Sequence, residues 1–214
     1  MTIIGIDFSL NSPSICINAD NRLTFVSFFN NDGKDYLSGK SKKFDLHREL
    51  YNNNLVTMIP YTRCIDKFSY VSEQKSKMQD AINLAKLIVD YLSNYKDDVK
   101  IGIEGFSYQS SGQAFIDLII YNSFLRKELV DKFGYDNIFI ISPTEGKKNF
   151  SGKGNANKEV MINSFLSNYV NSELIEQSKL YQFYKDKKID FKNIKPLDDL
   201  VDSCGIMFST MLYI

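Results

Sequence analysis

The chain has 214 residues, 43% of them apolar and 14% aromatic, enough to bury a substantial core in what is expected to be one domain. Its 26 basic and 26 acidic residues cancel, so it lacks the overall basic charge of many nucleic-acid proteins. Three scattered cysteines exclude a disulfide or zinc framework and suit a reducing cytoplasm, and the single histidine, His47, leaves little room for a His base or several His ligands.

No stretch is long and apolar enough to span a bilayer, and no basic region precedes the first apolar run, so neither a membrane partner nor a signal peptide is expected. Residues 2–8 read as a buried strand rich in isoleucine, interrupted at its end by Asp7. Residues 14–18 and 23–29 read as two further strands joined by the tight turn "NADN", which makes an antiparallel meander. Residues 31 to about 70 are polar and irregular and read as an insertion holding short elements.

The segment "SEQKSKMQDAINLAKLIVDYLSNY" predicts a long helix, with Met78, Ile82, Ala85, Ile88, Val89 and Leu92 on one face. A buried strand, "VKIGIEGF", then ends in Glu104. "YQSSGQ" reads as a polar turn, "AFIDLIIYNSFLRKELVDKF" as a second long helix, and "NIFIISP" as a strand closed by Pro143. "TEGKKNFSGKGN" reads as a basic, glycine-containing loop and "ANKEVMINSFLSNYV" as a third helix. A charged stretch at 171–195 reads as a second insertion, and "PLDDLVDSCGIMFSTMLYI" as a final helix opened by Pro196. The order of elements predicts an α/β fold, a mixed sheet of three antiparallel strands followed by parallel ones, with helices on both faces.

Two strands end in an acid, Asp7 in "GIDFS" and Glu104 in "GIEGF". If those strands are parallel neighbours, both carboxylates emerge at one edge. The last helix adds Asp198, Asp199 and Asp202, in which Asp199 and Asp202, and Asp198 and Asp202, share a helix face. Taken singly, each acid reads as a turn former or helix-start residue, and Asp198, just after Pro196, fits that role best. Taken together, three or four converging carboxylates repel one another and call for a cation. Hard oxygen donors without His or Cys suit Mg²⁺ or Mn²⁺, two ions of which can activate water and stabilise the leaving oxygen of a phosphodiester.

With Asp7 on the first strand, Glu104 on the fourth and Asp199-x-x-Asp202 on the last helix, the chain resembles the RuvC-type Holliday-junction resolvases of the RNase H-like superfamily. "GKGNANKEVM" is similar to that family's glycine-rich segment leading into a Lys-bearing helix. The abundance of Asn, Lys, Ile and Tyr suits an AT-rich genome, such as that of a phage or virus. The resemblance implies an RNase H-like fold and a Mg²⁺-dependent endonuclease cutting four-way junctions or other branched DNA. Asp7, Glu104, Asp199 and Asp202 would be its catalytic and metal-holding residues. A junction's two symmetric cut sites favour a homodimer. Ser107 stands where the family commonly carries an aromatic wedge, flanked by Phe106 and Tyr108, which could stack on an unpaired base, with core packing the expected fate of at least one of them.

From Ile141 to Lys195 the chain has ten Lys against six acids. Lys147, Lys148, Lys153 and Lys158 cluster around glycines and are expected to meet DNA phosphates, with Lys158 implied by the resemblance as well. His47 is expected only to pack or face solvent, and Cys204 to fill core. Three rivals remain. The first is an RNase H-like nuclease acting on RNA–DNA hybrids or DNA ends. The second is an actin-like phosphotransferase, which also opens with a "GID" strand but needs far more residues. The third is a non-catalytic DNA-binding module, whose sign would be lost acids, and none of the four is lost.

Overall fold

The computed structural model describes residues 1–36, 41–95, 98–106, 112–191 and 194–214. Strands β1 (Thr2–Asp7), β2 (Ser14–Ala19) and β3 (Arg22–Asn30) form the expected antiparallel meander. Asp20 and Asn21 both take positive φ in the turn between β2 and β3, the backbone that a two-residue hairpin loop requires. Short α1 (Asp45–Asn52) leads to β4 (Thr57–Tyr61), which lies parallel to β3 on the outer edge. Sequence patterning missed β4, whose Pro60 suits only an edge position. The long α2 (Tyr70–Leu92) follows, then β5 (Val99–Glu104), α3 (Gln113–Phe133) and β6 (Ile138–Ile141). β5 runs parallel to β1 and β6 parallel to β5, giving one six-stranded sheet ordered β4-β3-β2-β1-β5-β6.

Beyond the sheet come α4 (Pro143–Ser151), α5 (Lys158–Leu166), α6 (Glu173–Gln177), α7 (Lys179–Tyr184) and α8 (Leu197–Thr210). α4 corrects the expectation of a loop over "TEGKKNFSGKGN". Ser142 caps it by accepting from the Glu145 N–H, Pro143 sits in its first turn, and Gly152 closes it at φ 75°. Those start and stop signals outweigh Gly146, which is buried within the helix. The second expected insertion holds α6 and α7, and α5 is shorter than its apolar pattern suggested.

Alternation along the strands sends Ile4, Ile6, Ile15 and Ile17 to one face, where Leu84, Ala85 and Ile88 of α2 and Tyr121, Leu125 and Leu129 of α3 cover them. The other face carries Ile3, Cys16, Phe25 and Phe29 under α8, with α4, α5 and α7 packed outside it. Helices thus cover both faces, as expected. α2 departs from its expected face at one end: Met78 is exposed, while Lys77 and Asp80 are buried. Each buried charge is answered. Lys77 pairs with Glu73 at 2.8 Å and Asp117 at 3.0 Å, and Asp80 meets Arg63 at 3.0 Å and the Tyr121 hydroxyl at 2.7 Å. His47 packs between Phe29 and Phe44, and burial lowers its pKa to about 4, so it stays neutral at pH 7. Cys204 is buried beside Cys16, as a small core residue.

Candidate functional site

Gly5 of β1 and Gly102 of β5 sit directly opposite one another in the sheet. α8 crosses over both. A Cβ on Gly5 would stand 2.2 Å from the Ser203 carbonyl and 2.3 Å from the Met207 nitrogen, and one on Gly102 would stand 1.9 Å from Thr210 Oγ1. Helix and sheet therefore meet backbone to backbone at Gly5, while at Gly102 the Thr210 side chain takes the place a Cβ would need. Two residues further along each strand, on the same face, come Asp7 and Glu104. The glycine two places before each acid is a sequence signal that the acids alone did not reveal.

This close approach brings Asp7, Glu104, Asp199 and Asp202 together at one end of the sheet. All four carboxyls are raised in pKa. For Asp7, burial is the largest cause, followed by Asp199, Glu104 and Asp202, with Lys195 opposing. Burial and Asp199 raise Glu104 against the pull of Lys147. Burial and Asp198 raise Asp199, while Lys195 and Ser12 draw it down. Asp202 is held up at about 7, first by burial and then by Glu104. Three of them remain part-exposed and Asp199 is buried, so the cluster reaches the protein surface rather than lying in a sealed core.

Asp199 is held from two sides, by the Ser12 hydroxyl donating to Oδ2 at 2.7 Å and by the Lys195 ammonium on Oδ1. Asp198 is more deeply buried than a helix-start role requires. It pairs with Lys158 and lies 3.6 Å from Lys195, and its Oδ1 has no partner among the described residues. Sequence reasoning missed Ser12 and Lys195, although Lys195 stands one helical turn before Asp199. Lys147 on α4 faces Glu104 and Asp202, close enough to lower both pKa values. Lys148 and Lys153 are exposed and make no ion pair among the described residues. Phe106 is half-buried, with the Arg126 guanidinium 4.6 Å from its ring centre and Phe115 at 6.1 Å. Tyr108 and Ser107 lie outside the described residues.

Among the described residues, no three His, Cys, Asp or Glu side chains stand close enough to grip an ion as they are. By donor chemistry the four acids nonetheless fit a hard divalent cation. Every donor is a carboxylate oxygen, and their mutual repulsion is only partly offset by Lys195 and Lys147.

No protein-family model and no curated protein matches the sequence. Solved structures match in shape, among them the following. RuvC of Thermus thermophilus aligns at a TM-score of 0.51 with 8% identity, over 100% of this chain and 95% of that one. T. thermophilus RuvC in complex with a Holliday junction substrate aligns at 0.52 with 7% identity, over 100% and 94%. The yeast mitochondrial Holliday junction resolvase Ydc2 aligns at 0.45 with 14% identity, over 97% and 78%. The mixed six-stranded sheet and its covering helices thus have the RNase H-like fold in its RuvC-type form.

Proposed function

We propose that this chain is a divalent-metal-dependent endonuclease that hydrolyses phosphodiesters in branched DNA, with four-way junctions as its substrate class. One observation carries the reading: four carboxylates from two adjacent strands and one helix converge at one end of a RuvC-type sheet, where burial and neighbouring acids hold their pKa values up. A RuvC of this fold holds a Holliday junction substrate, which supports branched DNA as the ligand.

In this reading Asp7, Glu104, Asp199 and Asp202 hold the metal. Two Mg²⁺ ions, or Mn²⁺ in their place, would lower the pKa of the attacking water and offset charge on the phosphoryl oxygens when bound. Ser12 and Lys195 fix the carboxylate plane of Asp199. Lys147, Lys148, Lys153 and Lys158 meet the phosphates flanking the cut, Lys147 nearest the acids. Phe106 and Tyr108 flank a base at the branch point. Two copies related by a two-fold axis would present two such sites to one junction.

The test is incubation with a labelled four-way junction, a linear duplex and an RNA–DNA hybrid, each with Mg²⁺ or with EDTA. Cutting of the junction alone, and only with the metal, is the expected result. Cutting of the hybrid in preference would assign the site to ribonuclease H chemistry instead, and no cutting of any substrate would overturn the reading.

A further inference from the structure

A groove of about 800 Å³ runs between the two segments that read as insertions, 31–70 and 171–195. Among the described residues, Lys42, Lys43, Lys158, Lys187, Lys188 and Lys195 line it. Three acids among the described residues line it, Asp45, Glu49 and Asp190, in a chain whose total charge is zero. The walls are tied to each other: Glu49 of α1 accepts from Lys187 at 3.3 Å and from the Tyr184 hydroxyl at 3.5 Å. Lys43 is paired with Asp32, whereas Lys42 and Lys188 make no ion pair among the described residues. Phe191 also lines the groove and is exposed.

The inner end of the groove is its most telling part. Lys158 and Lys195 both line it and both pair with Asp198, and Lys195 also holds Asp199. The basic groove therefore opens directly onto the acid cluster. Lysines along a channel with an exposed aromatic beside them are the chemistry that follows a sugar–phosphate backbone without reading its bases.

We infer that the two insertions together build a track for one nucleic-acid strand, whose phosphodiester backbone lies along the groove and enters the acid cluster past Lys158 and Lys195. The inference rests on the proposed nuclease reading and adds a binding surface to it. The track takes a polyanionic strand on charge, so its contribution to binding falls with salt and does not depend on base sequence.

The experiment titrates labelled four-way junction and linear duplex in EDTA at several salt concentrations. It compares the unaltered protein, the pair K42Q and K188Q, and a control pair on α2, K75Q and K86Q, whose lysines are exposed. Lys42 and Lys188 support no ion pair among the described residues, so their removal is expected to leave the melting temperature unchanged. Each lost phosphate contact lowers the slope of log K against log salt by about 0.9, so the groove pair should lose about 1.8 and the α2 pair nothing. An equal slope in all three proteins, or equal losses in both pairs, overturns the track. Junction cutting by a groove pair of unchanged slope would sink the track and leave the nuclease reading standing. A lowered slope in a protein that cuts nothing with any divalent ion would uphold the track and sink the nuclease.

Discussion

The two faces of the sheet are built differently. Under α2 and α3 the strands present isoleucines, and the contact is made by large side chains such as Leu125 and Tyr121. Under α8 the central positions are Gly5, Gly102 and Cys16; backbone meets backbone at Gly5, and the Thr210 side chain lies against Gly102. The first face fills volume with interchangeable apolar groups. The second sets a distance, and the acids stand at the end of that contact. The contrast teaches that the same strands carry stability on one side and site geometry on the other.

The largest expected effect comes from changing the second face's chemistry without its shape. Asp7→Asn should cut the rate of junction cleavage by about 10³-fold, the equivalent of several kcal/mol of lost charge stabilisation, and leave junction binding intact. Because the Asp7 carboxyl is repelled by its neighbours, the same variant in EDTA should melt higher than the unaltered protein. Full activity at limiting Mg²⁺ would remove Asp7 from the site.

Next come the shapes. Leu125→Ala on the first face should cost about 2–5 kcal/mol in urea unfolding while the folded fraction cuts normally. Gly5→Ala should cost at least about 3 kcal/mol, since no side chain can move aside for its Cβ, and the remaining folded protein should also lose activity. Equal specific activities in the two variants would erase the distinction between the faces.

A smaller effect is a pH dependence. Asp202 titrates at about 7 in the folded chain, above its unfolded value near ~3.9. The folded state therefore binds the proton more tightly. Stability from this group is greatest below pH ~4 and is lost as pH rises toward about 7, on the order of 1–3 kcal/mol in EDTA. Asp202→Asn should flatten that fall between about pH 4 and 7 in denaturant melts, and identical pH profiles in the two proteins would contradict the burial of its charge.

The smallest expected effect belongs to Asp198. It orients Lys158 and Lys195, so Asp198→Asn should slow cleavage by about 10–100-fold, less than Asn at 199 or 202. If it proved the most damaging of the three, the cation would lie on the Asp198 side of α8.

The acids and the strands that bear them were legible because each strand is a short, mostly apolar run that ends in an acid, and because Asp199 and Asp202 share a helix face. The meander was legible from "NADN". β4 was not, since five residues with a proline carry no alternation and acquire strand structure only by pairing with β3. α4 was misread because its lysines and glycines resemble a loop, although Ser142, Pro143 and Gly152 mark a helix start and stop. The buried Lys77 and Asp80 break an amphipathic pattern that only the partners on α3 and at Arg63 explain. Lys195 counted as one more surface charge until the fold placed it on Asp199.

The contact of α8 with Gly5 and Gly102 has a bearing on how far such a chain can drift. At Gly5 the contact is between backbones and has no rotamers to rearrange, at Gly102 it needs only room for the Thr210 side chain, and neither depends on which apolar residues fill the rest of the layer. Substitutions elsewhere can accumulate one by one, each absorbed by its own neighbours, while the span between strand acids and helix acids stays constant. A lineage under such a constraint can exchange nearly every other residue and still keep its acid cluster, provided two glycines stay where they are.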